Sequence, residues 1–170
     1  MNVALCGKGD NPGRFAMETP KPTPHHERLR ALVGSWKGDE KMHPSPWDPK
    51  GGTAKGFFES RQDLDGMFVI SEYRQERDGK VTYRGHGVFG WDSKQNAYTM
   101  YWFDSIGTDP GGPARGKWEG DMLRFEMQSP MGHSSYEYRF QGAGRFTLAI
   151  SMSQDGKSWK PWLESTWIKK

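Results

Sequence analysis

From Gly34 onward the chain carries no helical period. It shows ten short β-type segments, at 35–42, 53–63, 67–77, 80–91, 97–105, 114–119, 122–128, 134–141, 145–152 and 159–168. Turn chemistry separates them: Asp65-Gly66 and Asp78-Gly79, dipeptides that favour the type I′ hairpin, then SKQN at 93–96, EGD at 119–121, GAG at 142–144 and SQDGK at 153–157. Each segment therefore pairs antiparallel with the next. A ten-stranded meander with no helices to cover it must curl or close, and closure removes the edges that would otherwise template aggregation. The expected fold is all-β, an antiparallel up-and-down barrel of about ten strands with one short N-terminal helix closing the bottom. A flattened two-sheet sandwich is the alternative that turn spacing leaves open.

The helix is readable. Thr23 caps it, Pro24 suits its first position, Leu29, Leu32 and Val33 share a face, and Gly34 ends it. Residues 1–22 hold little that is apolar and read as a flexible arm, leaving 23–170 as a single domain. No apolar run approaches a membrane span or a secretory signal, so the chain is expected to be cytoplasmic. Cys6 stands alone and no CxxC or CxxH pair offers a zinc site. Basic residues are interleaved with acids, as in KGDEK and EYRQERDGK, so no nucleic-acid partner is expected.

Composition bears on what fills the barrel. Leu, Ile, Val and Phe make up about 15% of the chain, below the ~20% that marks disorder when net charge is high, but the net charge here is only +3. The missing aliphatics are replaced by 8 Trp, 6 Tyr, 9 Phe and 9 Met. A barrel whose interior is partly cavity needs less Leu, Ile and Val, with aromatic rings as wall and floor, so a hollow barrel is expected. Gly85 and Gly87 read as places where a curved strand bends.

The two ends of the meander differ. One has tight turns and the helix; the other carries HPSPWDPKGG (43–52), SIGTDPGGP (105–113) and SPMGH (129–133). Barrel mouths are preferred ligand sites, so the long-loop end is the expected mouth. Taking Asp78-Gly79 as a two-residue turn puts Tyr73 opposite Arg84 and Ser71 opposite His86, with Tyr101 and Phe103 on the same inward side. Trp91 and Phe89 then point outward as a patch for a homodimer. Arg84 and His86 inside a barrel imply a wet or ligand-filled cavity, because a buried charge without a partner is costly. A one-residue bulge would invert these faces.

LVGSWKGDEKMHPSPWDPKGGTAKG (32–56), YRGHGVFGWD (83–92), YWFDSIG (101–107), SPMGHSSYEYRF (129–140) and MSQDGKSWKPWLEST (152–166) together resemble a bacterial family of lipocalin-like, calycin-type barrel domains described as a domain of unknown function. The resemblance covers roughly 24–168 and implies the barrel fold. Gly34 and Trp36 are similar to the GxW opening strand of lipocalins, which implies that Trp36 packs across the barrel floor. GSWKG is also similar to the first strand of nitrobindin-type haem barrels, while the DEKMHPSP that follows is more acidic than in those domains.

The expected function is binding of a small, largely apolar or aromatic ligand without a cofactor or metal. Its polar or anionic group would be held by Arg84, His86 and Tyr101, with Trp36, His43, Trp47, Tyr73, Phe103, Asp104, Ser129, Met131 and His133 completing the site. Trp47 and Trp162 read as packing or lid residues. One alternative is a cofactor-free isomerase, cyclase or lyase in which Asp104 orients His86 or His133 for proton transfer; Asp104-Ser105 could equally be a turn that binds backbone amides. A further alternative is haem on His86 or His133 beside Met131, or a metal held by His43, His86 and His133.

Overall fold

The computed structural model describes residues 19–46 and 48–170, so Cys6, Trp47 and most of the expected N-terminal arm lie outside the described residues. One helix, α1 (Pro24–Arg28), runs on as a 3-10 turn over Leu29–Leu32. Ten strands follow: β1 (Gly34–Met42), β2 (Gly52–Asp63), β3 (Phe68–Arg77), β4 (Lys80–Asp92), β5 (Ala97–Asp104), β6 (Ala114–Glu119), β7 (Met122–Ser129), β8 (Gly132–Phe140), β9 (Arg145–Ser153) and β10 (Lys160–Lys169). Each pairs with its sequence neighbours, and β1 pairs with β10 from Trp36↔Lys169 to Met42↔Leu163, so the barrel closes. No helix among the described residues is long and apolar enough to cross a membrane.

Two turns behave differently. Asp78 and Gly79 both take positive φ, as a type I′ hairpin requires, and join Arg77 to Lys80 directly. Asp65-Gly66 instead belongs to a four-residue connection, Leu64–Met67, between the paired Asp63 and Phe68.

The helix closes the floor. His26 Nδ1 caps it by accepting from Thr23 N, Leu29 and Leu32 are buried, and Trp36 Nε1 donates to Leu32 O at 2.9 Å. Trp36 meets Phe146 edge-on at 4.8 Å, the floor position that the lipocalin resemblance implies. His25 stacks on Trp91 at 3.7 Å, and Phe89 is 1% exposed, so both rings of the expected dimer patch point inward.

The lower barrel is filled rather than hollow. The void between Leu32, Trp36, Phe58, Phe89, Tyr138 and Phe146 is about 10 Å³, the room of a single water. Glycines explain how so few aliphatic residues suffice. A Cβ on Gly38 or Gly56 would stand 2.7 Å or 2.3 Å from the Trp167 ring, and one on Gly116 2.6 Å from Phe125. A large ring laid over a bare strand packs against backbone, so glycine and aromatic act together as one core unit. Gly85 and Gly87 are of this kind: they clear space for Trp102, whose ring atoms would lie 2.1 Å and 3.1 Å from their added Cβ atoms.

Candidate functional site

The faces of β4 and β5 decide what lines the upper barrel. Pairing of β3 with β4 begins at Arg77↔Lys80, but the register shifts between Gln75 and Glu76, so Gln75 lies opposite Tyr83 and Thr82 is the extra residue of a bulge. Tyr73 is then opposite Gly85, and Arg74 opposite Arg84. Every β4 side chain beyond the bulge is inverted relative to a simple two-residue hairpin. Tyr83, Gly85, Gly87 and Phe89 face inward; Arg84 and His86 face out.

Inversion carries across to β5, where His86 pairs with Phe103 and Val88 with Tyr101. Phe103 and Tyr101 lie on the outer wall, 44% and 37% exposed, while Met100, Trp102 and Asp104 point in. The reading of Arg84, His86, Tyr101 and Phe103 as cavity residues is therefore corrected, by a single bulged residue.

The interior below the long loops contains two hydrogen-bonded carboxyl groups. Glu40, 3% exposed, accepts from Tyr73 Oη at 2.8 and 2.9 Å and from Gln75 Nε2 at 2.9 Å. Thr82, the bulged residue, donates to Gln75 Oε1 at 3.3 Å and so holds the amide that covers Glu40. Burial raises the Glu40 carboxyl above its ordinary value of 4.5, opposed by hydrogen bonds from Gln75 and Tyr73 and by the charge of Arg77. Burial also raises the Tyr73 phenol, and the Glu40 charge adds to it.

The second carboxyl is Asp104. Its Oδ2 accepts from Tyr83 Oη at 3.0 Å, and Tyr83 Oη in turn accepts from Trp102 Nε1 at 2.9 Å. Its Oδ1 accepts from Ile106 N at 2.9 Å, the turn contact expected of an Asp at this position. The rings connect the two groups: Tyr73 lies 5.9 Å from Tyr83 and 5.8 Å from Trp102 between centroids. Tyr136 of β8 projects inward nearby, its phenol raised by burial, with the Asp104 charge contributing.

This set lies at the end of the barrel away from α1. Tyr83, Trp102, Asp104, Met127, Tyr136 and Met152 are half-buried; at the floor end Trp91 and Trp118 are half-buried as well but lie under His25 and Arg28 of α1, and Phe58, Phe89, Phe125 and Phe146 between the two ends are buried. On the wall, β5 pairs with β6 only over Tyr98–Met100, because β6 begins at Ala114. The sheet parts beside Trp102 and Asp104.

The other expected site residues do not gather here. His43 Nε2 is 2.7 Å from Glu164 Oε2 at the outer rim, and His86 Nδ1 is 2.7 Å from Glu72 Oε1 on the outer wall. His133 packs against the 153–159 loop, its Nε2 3.3 Å from where a Gly156 Cβ would be. Ser129 Oγ closes its own turn, accepting from Met131 N and donating to Gly132 O, and Met131 is 67% exposed. Trp162 is the bulged residue between Pro161 and Leu163 and packs on the cluster of Met42, Ala54 and Leu163.

Histidine chemistry inside the barrel consequently has no support in the geometry. The hydrogen-bond partner of Asp104 is Tyr83, and neither His86 nor His133 reaches it. The residues do not fit an axially ligated haem in the interior, since His86 and His133 stand on the outer face and rings occupy the lower barrel. His43, His86 and His133 do not converge, and among the described residues no group of three or more His, Cys, Asp and Glu is placed to hold a metal.

The buried carboxyl makes stability pH-dependent in a defined direction. Below about pH 4.5 Glu40 is protonated in both states; above it the unfolded chain ionises first, so its contribution to stability falls until the pH passes the raised folded value. Glu40→Gln removes this dependence. Its melting temperature relative to the parent should rise between pH 4.5 and pH 8, and parallel melting curves at both pH values would contradict the assignment.

Solved structures share this architecture. Rv2717c from M. tuberculosis superimposes with a TM-score of 0.64 at 14% identity, over 87% of this chain and 98% of that one. The S-type phycobiliprotein lyase CPES from Guillardia theta gives 0.61 at 8% identity, over 86% and 92%. At these identities the likeness concerns the fold alone, and no curated protein matches the chain. Sequence is more specific: the model of DUF1579, described as a protein of unknown function, matches residues 21–169, and the chain belongs to that family.

Proposed function

We propose that the protein binds a small, largely apolar or aromatic molecule in the open upper half of the barrel, against Tyr83, Trp102, Met127 and Tyr136. The observation that carries this reading is the contrast in burial along the barrel axis. Below, rings close on one another, on glycine and under α1; above, inward aromatic and methionine side chains stay half-buried around hydrogen-bonded polar groups. Concave, mostly apolar surfaces with a few fixed polar groups are what small-molecule sites look like. The binding uses side chains of this chain and calls on no cofactor.

Naphthalenemethanol, a neutral aromatic probe, tests it through tryptophan fluorescence and calorimetry. Saturable binding is expected, weakened at least about tenfold by Trp102→Ala because a central aromatic contact is lost. His86→Ala and His133→Ala should leave the affinity unchanged, since both side chains are outside the barrel. Equal weakening by His86→Ala and Trp102→Ala would move the site to the outer wall and overturn the reading.

A further inference from the structure

Resting on the reading of the upper barrel as a small-molecule site, we propose that its ligand is an organic ammonium: a protonated amine on an aromatic or apolar body. The argument turns on which hydrogen-bonding valences remain free. Trp102 Nε1 donates to Tyr83 Oη, and Tyr83 Oη donates to Asp104 Oδ2, so both donors are spent inside the network. On the facing side Tyr73 Oη donates to Glu40, and Gln75 Nε2 contacts Glu40 Oε2, Tyr73 Oη and Met42 Sδ.

Acceptors are left over. Each carboxylate oxygen has two lone-pair sites, and Asp104 Oδ1 and Oδ2 each use one, on Ile106 N and Tyr83 Oη. Beside Asp104 a ligand group that brings N–H or O–H donors is favoured, because an oxyanion there would meet lone pairs. Charge points the same way. At this mouth Arg77 pairs with Asp48 at 2.7 Å, with its buried Nε left without a partner, and Arg84 is on the outer wall. Glu40 feels the charge of Arg77, whereas Asp104 faces inward and makes no ion pair among the described residues.

The rings supply the rest. Trp102, Tyr83 and Tyr136 lie around Asp104, and an ammonium is attracted to aromatic rings as well as to the carboxylate. The indole is held by its own hydrogen bond to Tyr83, so its plane is set before a ligand arrives. Beyond Met100, β5 has no pairing with β6, so the wall next to Asp104 is not closed by a strand ladder.

The test uses the full chain and three probes sharing one ring system: naphthylmethylammonium, naphthalenemethanol and naphthoate. Calorimetry on the parent protein should rank the ammonium at least about tenfold tighter than the alcohol, with the carboxylate weakest. Asp104→Asn should abolish the ammonium's advantage, weakening the ammonium far more than the alcohol. The ranking on the parent protein needs no variant, and Tyr83→Phe, which keeps the ring and removes one donor to Asp104, is a second check on the ammonium's advantage. Ammonium and alcohol binding equally would overturn the ammonium assignment and leave the binding reading intact. Naphthoate binding tightest would also overturn it, and would make Arg77 the recognising group. No binding by any of the three would sink both.

Discussion

Trp167→Ala is expected to cost ~3–5 kcal/mol of folding stability, a large share of the ~5–15 kcal/mol that holds a typical domain. The side chain is 0% exposed. It lies 4.6 Å from Phe58, 5.7 Å from Phe146 in a stacked pair, and 6.2 Å from Tyr73 between ring centroids. Its indole N–H donates to Ser165 Oγ at 2.8 Å, and Ser165 Oγ donates to Leu148 O at 3.1 Å. The ring also spans Gly38 of β1 and Gly56 of β2, which carry no side chain that could close the space it leaves. A cavity at the seam between β1 and β10 weakens the pairing that makes the sheet a barrel. Denaturant unfolding followed by circular dichroism measures the loss, and Trp167→Phe should recover part of it. A change below about 1 kcal/mol would show that the glycine-aromatic units are not what holds the barrel.

The strands were legible because turn chemistry and alternation are local: all ten exist, with ends within two residues of those expected. Closure followed from counting strands and finding nothing to cover them. The site was less legible. Inward and outward faces repeat every two residues, so one bulged residue at Thr82 exchanged Arg84 and His86 for Tyr83 and Gly85, and the error passed to β5 as Tyr101 and Phe103 for Trp102 and Asp104. Asp104 stays in the site because its place at the top of β5, not its parity, makes it a candidate.

Glu40 and Gln75 were missed although a signal existed. With Trp36 at the floor, Gly38, Glu40 and Met42 share its side of β1, and the other side reads Lys37, Asp39, Lys41. Parity from Tyr73 likewise places Gln75 inward. A carboxyl on the apolar face of a strand is worth attention, since a buried acid needs donors and shifts its pKa. Composition misled in a different way: scarcity of Leu, Ile and Val suggested a hollow interior, yet 22 glycines beside 23 aromatic residues allow rings to lie on bare backbone and fill the lower half.

Gly85→Val tests that pairing where it meets the proposed site. A Cβ at Gly85 would stand 2.1 Å from Trp102 Cζ2, too close for a heavy atom, so the indole must move. Movement breaks its hydrogen bond to Tyr83 and loosens the Tyr83 contact with Asp104. Overpacking of this kind costs ~1–3 kcal/mol, and the lost indole bond adds ~1 kcal/mol. Probe affinity should fall together with stability. Valine otherwise favours a strand over glycine, so without the clash the substitution would stabilise β4. A double-mutant cycle separates the two effects: in a Trp102→Ala background the clash is gone, and Gly85→Val should be neutral or stabilising. If Gly85→Val is as damaging there as in the parent, Gly85 matters for its backbone and not as the bed of Trp102.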